Sequence, residues 1–230
     1  MTTSSTYTFN PTNGEMMLSA YARIQIRAPS LRQEHMVHAQ REMNLLLVEL
    51  GNLQPNLWEV QQNSINLVSG TATYSVPDNT VMILDMWLTK NSGATSQTDR
   101  YITPMSRSEY ASLANKNTPG QPTQYWFDRL ISPTLTTYPV TNQTGLVLNY
   151  FSCIRMQDAH LAGGETMDIQ YLFLDCIVAG LAFRLSRIYA PQLEEKREKD
   201  YDKAWKICAA QNTENVPLSL SPQLMRYYRR

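Results

Sequence analysis

The sequence has no excess of charge of either sign: twenty Lys and Arg balance twenty Asp and Glu, for a formal net charge of zero over 230 residues. General binders of nucleic acid or of membrane surfaces carry a basic surplus, so the balance argues against both, while leaving a local basic patch open. Near-neutrality favours association with other protein surfaces. Cysteine is scarce. Cys153, Cys176 and Cys208 are odd in number, far apart and set in apolar stretches, which reads as buried thiols rather than a disulfide framework or a zinc set. Long apolar runs are missing too. The longest, from Ile169 to Phe183, is interrupted by Gln170 and Asp175, is short for a membrane span, and reads as a buried helix. The first ten residues lack the basic region and apolar run of a signal peptide. Asn142-Gln143-Thr144 fits a glycosylation sequon and, without secretion, reads as a polar turn. There is no internal repeat.

What is present is most distinctive at the end. Residues 215–230 follow a well-patterned helix that they cannot continue, because Pro217 and Pro222 lack a backbone donor and bias their neighbours toward extended backbone. Val216, Leu218, Leu220, Leu224, Met225, Tyr227 and Tyr228 make the segment too apolar for a solvated linker, and Arg226, Arg229 and Arg230 give it a basic end. The expectation is an extended arm that lies on another chain. Ordering such an arm costs about 1–2 kcal/mol per residue in backbone entropy, while each large anchor contributes roughly 1.5–3 kcal/mol on burial. One arm holds weakly; many arms from one closed assembly hold strongly.

Upstream, Thr12 and Glu15 form a capping box opening a helix expected to run to about Ala28, with Met17, Tyr21, Ile24 and Ala28 on one face and Pro29 as its stop. Ser30 and Gln33 suggest a second box. It precedes a helix to about Leu50, with a core face of Met36, Ala39, Met43, Leu46, Leu47 and Leu50 and with Gly51 as a left-handed cap. After Trp58 the period changes to two. Ile65 and Leu67, then Tyr74 and Val76, alternate about Ser69-Gly70 as in a hairpin. A strand from Val81 to Lys90 has Met82, Leu84, Met86 and Leu88 on one face, and Asn91–Asp99 is a polar loop. Strands follow at Arg100–Thr103, Tyr125–Asp128, Leu135–Tyr138 and Gly145–Phe151, with a brief helix capped by Ser106 and Glu109. Such short strands indicate a small sandwich or barrel. Helix returns at about Glu165 and is apolar almost all round to Tyr189 (Leu172, Leu174, Cys176, Ile177, Leu181, Phe183, Leu185, Ile188), hence central and buried. Pro191 ends it. A last amphipathic helix, Gln192–Ala210, buries Leu193, Tyr201, Ala204, Trp205 and Cys208. The fold class is therefore α+β. N- and C-terminal helical segments (1–58 and 161–212) form one bundle, a small antiparallel β domain is inserted (59–160), and an extended C-terminal arm follows (213–230).

No pattern demands catalysis. Glu34, His35, His38 and Glu42 sit at helical spacing, but the zincin pattern needs two His four apart with Glu directly after the first, and Met36 follows His35. A solvated helix face is the simpler reading. His160 stands alone without a nucleophile elbow. Gly163-Gly164-Glu165-Thr166 lacks the glycines and the Lys-Ser/Thr pair of a phosphate loop, and reads as a hinge with Glu165 near a helix N-terminus. Glu194, Glu195, Lys196, Arg197, Glu198 and Lys199 begin a mixed-sign run with Glu195–Lys199 and Lys196–Asp200 at i,i+4 spacing, a solvated face that an oligomer could pair with a neighbour. Tyr125, Trp126 and Phe127 with Arg129 could stack on bases, but alternate faces of a strand suit a sandwich core better.

The chain resembles the head-to-tail adaptor (connector, head-completion) proteins of short-tailed bacteriophages, the podovirus type, over nearly its whole length. The resemblance rests on the order and spacing of several segments. They are the paired N-terminal helices ending near Gly51–Trp58, L-V-S-G-T-A-T-Y-S-V-P from Leu67, S-R-S-E-Y-A-S-L-A-N-K from Ser106 and P-G-Q-P-T-Q-Y-W-F-D-R from Pro119. L-T-T-Y-P-V from Leu135, L-V-L-N-Y-F from Leu146, A-G-L-A-F-R-L-S from Ala179, Y-A-P from Tyr189 and N-V-P-L-S-L-S-P from Asn215 complete it. It implies a non-enzymatic virion protein of the neck or tail, made in the host cytoplasm. It also implies a ring of twelve copies beneath the portal protein that extends the DNA exit channel and docks a tail nozzle or tail-tube protein. The arm would reach the portal, and the Glu194–Lys199 run would supply a subunit–subunit face. The resemblance implies no cofactor, metal, membrane partner or sequence-specific DNA contact. Alternatives are another neck or tail-tube ring protein, or a tail-associated cell-wall hydrolase.

Overall fold

Thr12 and Glu15 start the first helix by satisfying each other's orphan groups. The Thr12 backbone N–H donates to Glu15 Oε2 at 2.8 Å, and the Thr12 hydroxyl accepts from the Glu15 N–H. The backbone bond, and then the Thr12 hydroxyl donating to the same Oε2 at 3.0 Å, hold the Glu15 carboxyl below its usual range. In this computed structural model, which describes residues 4–53, 59–161 and 164–213, helix α1 spans Asn13–Arg23. It is shorter than the expected run to Ala28, and Ala28 is exposed in a separate 3-10 turn with Pro29. The chain leaves α1 through a Schellman motif. The Ile26 N–H reaches Tyr21 O and the Gln25 N–H reaches Ala22 O, with Gln25 in the left-handed region at φ 67°. Gln25→Gly removes a side chain from that strained position and should raise stability by up to about 1 kcal/mol, read as a higher urea midpoint.

Helix α2 spans Gln33–Leu53. The Ser30–Gln33 box is not formed; the Arg32 N–H instead donates to His35 Nδ1 at 3.1 Å, so the imidazole does the work expected of Gln33. Nor does Gly51 cap the helix. It lies inside it, which glycine tolerates at about 1 kcal/mol relative to Ala. Ala39, Met43, Leu46, Leu47 and Leu50 form the inward face as the spacing predicts.

Strands β1 (Val60–Asn66), β3 (Thr80–Lys90), β4 (Thr98–Tyr101) and β8 (Leu146–Ile154) form one sheet in the order β1-β8-β3-β4. Strands β2 (Thr73–Ser75), β5 (Thr103–Pro104), β6 (Gln124–Asp128) and β7 (Thr134–Tyr138) form the second, in the order β2-β7-β6-β5. The turn at Gly70 (φ 81°) is present, but β1 and β2 are not a hairpin: β1 pairs with β8 and β2 with β7. The Tyr74 hydroxyl holds that turn, accepting from Val68 N–H at 3.0 Å and donating to Thr71 O at 2.9 Å. The two sheets share one core of Met86, Leu88, Tyr125, Leu135, Leu146, Leu148 and Tyr150, a sandwich packing. Two irregularities break the expected patterns. The register of β3 shifts between Thr80 and Met82 and again between Ile83 and Asp85, which leaves Leu84 38 % exposed rather than in line with Met86 and Leu88. The β5–β6 pair is parallel, so the β part is not wholly antiparallel. Helix α3, Arg107–Ser112, starts from the Ser106–Glu109 capping box and leaves Tyr110 stacked on Trp126 at 5.1 Å.

Among the described residues, the return from β8 is irregular backbone with no helix before Tyr171. Asn13 N–H donates to Glu165 O, and Thr12 bridges to Thr166. The Ala159 backbone is held by Asn44 and Gln40 of α2. Helix therefore begins only with a 3-10 turn at Tyr171–Phe173 and then α4, Leu174–Tyr189, with Glu165 far from its N-terminus. Helix α4 is the centre of the helical core, buried on all sides from Cys176 to Phe183 and packed on α1, α2 and α5 (Glu194–Gln211). Ile188 alone of its expected core positions is turned out, at 49 % exposure.

Candidate interaction surfaces

Residues 216–230, the expected docking arm from Val216 through Leu218, Leu220, Leu224 and Met225 to Arg226, Tyr227, Tyr228, Arg229 and Arg230, lie outside the described residues. The surfaces that can be built from described residues are on the helices.

On α5, the buried positions Tyr201, Ala204 and Cys208 face α4, which turns the charged run outward. Lys199 Nζ meets Glu195 Oε1 at 2.5 Å, Glu194 accepts from Arg187 of α4 at 3.0 Å, and Arg197 pairs with Asp200 at 3.1 Å. The last pair replaces the expected Lys196–Asp200 contact. Arg197 is also not solvated: its side chain is only 14 % exposed, and its Nε is buried with no acceptor among the described residues. Lys196 and Glu198 form no ion pair among the described residues, which leaves them as the charges of this row most available to a partner. The Glu195–Lys199 pair is fully exposed. It lowers the Glu195 pKa and raises that of Lys199 chiefly by their mutual hydrogen bond.

A second surface was missed in the sequence. Val37, Leu45 and Val48 lie on the outer face of α2, opposite its core stripe, each about half exposed, with Arg41 between them. Two apolar stripes on one helix give it a core side and an unpartnered side. The missed signal was the i, i+4 and i+3 spacing 37–41–45–48, masked by the stronger inward stripe.

The remaining candidates are structural. His35 lies tilted against Tyr189 with ring centroids 5.1 Å apart, His38 Nδ1 lies 2.5 Å from the Tyr189 hydroxyl, and Tyr21 donates to His35 O at 2.6 Å. Glu42 and Glu49 of α2 both bind Arg184 of α4, a partly buried triad absent from the sequence reading. Glu34 is the one member of the expected cluster left at the surface, 3.8 Å from Arg32. No group of three His, Cys, Asp or Glu side chains among the described residues is placed to hold a metal. His160 offers its backbone oxygen to Asn13. Tyr125 and Phe127 point into the sandwich and Trp126 away from it, as alternation requires. All three cysteines are buried; burial first, and then the neighbouring Cys208, push the Cys176 thiol up to about 12, so it is inert at neutral pH. No helix among the described residues is long and apolar enough to cross a membrane.

The described residues form a two-layer β-sandwich inserted between helical segments that share one core, with outward faces on α2 and α5. The sequence matches the SU10 adaptor protein family over residues 17–220, from α1 through both sheets and past α5. The chain belongs to that family, a family of phage head-to-tail adaptors. None of the curated proteins matches this sequence.

Proposed function

We propose that this chain is the structural subunit of a homo-oligomeric ring, twelve-fold as the resemblance implies, in the neck of a short-tailed phage. The ring joins the portal protein to the tail nozzle or tube and continues the DNA exit channel. The observation that carries this reading is the family match across residues 17–220, which takes in most of α1 and every later helix and strand described, and not one motif alone. Zero net charge agrees with it, because a conduit that must release DNA gains nothing from a strongly basic wall. A closed ring needs two different faces on each subunit. The charged row of α5, with Lys196 and Glu198 uncommitted, and the outer face of α2 are the two that support it. The segment from Val216 to Arg230 is assigned to the portal.

Removing everything after Asn215 tests the assignment. The truncated chain should keep the wild-type circular dichroism spectrum and melting curve, yet no longer be retained on immobilised portal rings. Undiminished retention rejects the arm. Electron microscopy of the full chain mixed with portal should show a ring coaxial with it; particles decorated only as monomers reject the ring.

A further inference from the structure

Glu59 is the one carboxyl among the described residues that is both buried and pushed above its usual range. It stands at the entry to β1, where the chain passes from helices to sandwich, and is 5 % exposed. Its Oε1 is sealed from solvent and has no hydrogen-bond partner among the described residues. Glu59 is among the residues lining a cleft of about 130 Å³ between the C-terminal half of α2 and the ends of β3 and β8. The cleft is otherwise mainly apolar, with Leu47, Val48, Val81, Ile154 and Met156. An ionised carboxylate there has one oxygen that has lost its water and gained no hydrogen bond among the described residues in exchange.

The charged groups around it do not help. From the segment before α4, Asp168 repels it. From the segment after β8 come Arg155 and Asp158, and that guanidinium is committed to the Asp158 carboxylate at 2.8 Å. Helix α2 contributes only the neutral amides of Asn44 and Asn52, β3 only Val81, and β8 the thiol of Cys153. Burial first, and Asp168 second, push the Glu59 carboxyl from 4.5 up to about 7.

We propose that Glu59 is a proton-controlled latch on the joint between the helical core and the sandwich: neutral, it lets the joint close, and ionised, it holds the joint partly open. Helix α2 belongs to the helical core and β3 and β8 to the sandwich, so proton loss at Glu59 loosens the contact between the two.

The sign follows from linkage. A carboxyl with a raised pKa in the closed form binds more protons there than when exposed, so the closed form loses stability as pH rises from about 4.5 to 7 and loses no more above that. Hydrogen exchange of the β1 amides reads the opening in the full chain, and the ratio of wild type to Glu59→Gln at each pH cancels the intrinsic pH dependence of exchange. Between pH 5 and 8 that ratio should rise roughly seventy-fold. A ratio that stays flat overturns the latch. If Glu59→Gln fails to fold, Asp168→Asn decides: with the repulsion gone, the pH-dependent rise in β1 exchange of this variant should be smaller than in wild type, and an undiminished rise overturns the proposal.

Discussion

Leu181→Asp abolishes the cooperative fold of the helical core at neutral pH. Leu181 is fully buried in the middle of α4, the helix that packs against α1, α2 and α5 at once. The substitution forfeits about 1.5–3 kcal/mol of apolar burial and places an unpaired carboxylate where desolvation costs several kcal/mol more. A domain is stable by only about 5–15 kcal/mol, so the sum is a large share of the whole. Far-UV circular dichroism should show a large loss of helical signal and a broad, low melting transition. The loss should ease in acid. The buried Asp has a raised pKa, so the folded form regains stability as pH falls below that value toward the ordinary 3.9. Leu181→Met, which nearly conserves volume, should cost less than about 1.5 kcal/mol. Wild-type melting of the Asp variant would mean that α4 is not the centre of the core.

Why α4 could be named from sequence, and other features not, comes down to range. Helix starts are local: Thr12 with Glu15 and Ser106 with Glu109 satisfy each other within one turn, and both boxes form as read. The inward stripe of α2 and the all-round apolar character of α4 are periodic within one element, so they too were legible. The choice of strand partner is not local. Ile65 and Tyr74 alternate as well in one hairpin as in two sheets, and only the distant β8 and β7 decide between them. Helix ends were misjudged where the backbone overrode composition. A Gln, not a Gly, takes the left-handed position after α1, and Gly51 stays helical because α2 continues past it. Residues 165–170 read as helix until Asn13 of α1 claims the Glu165 carbonyl. Of the candidate surfaces, the charges of α5 were visible but not their committed partners, and Arg197 was taken for a solvated residue when it is largely covered. Glu59 carried no signal at all, since nothing in its neighbours foretells that α2, β3 and β8 converge on it.

The second large effect sits one residue away, at Gly180. A Cβ there would lie 2.8 Å from Tyr201 Cε2 and 2.9 and 3.0 Å from the two Leu46 methyls, so α2 and α5 both approach α4 at this point closely enough to exclude any side chain. Neither neighbour has room to yield: Leu46 is fully buried, and Tyr201 is stacked on Phe183 at 6.1 Å. Helix propensity favours Ala over Gly by about 1 kcal/mol, and overpacking opposes it by about 1–3 kcal/mol. Gly180→Ala should therefore lower the urea midpoint or at best leave it unchanged, and Gly180→Leu should lower it by several times as much. Pairing the change with Leu46→Ala separates collision from any other cause. Leu46→Ala alone costs about 2–5 kcal/mol by opening a cavity. In that background Gly180→Ala should cost less than it does in the wild type, because the two Leu46 methyls are gone and only the Tyr201 contact remains. Simple additivity of the two would refute the close-contact account. The consequence reaches the surface as well. Helices α2 and α5 carry the two outward faces assigned to ring contacts, and both are spaced from α4 through this one glycine. A side chain at 180 that pushes them apart shifts both faces together, and assembly with portal should fall by more than the loss of folded protein accounts for.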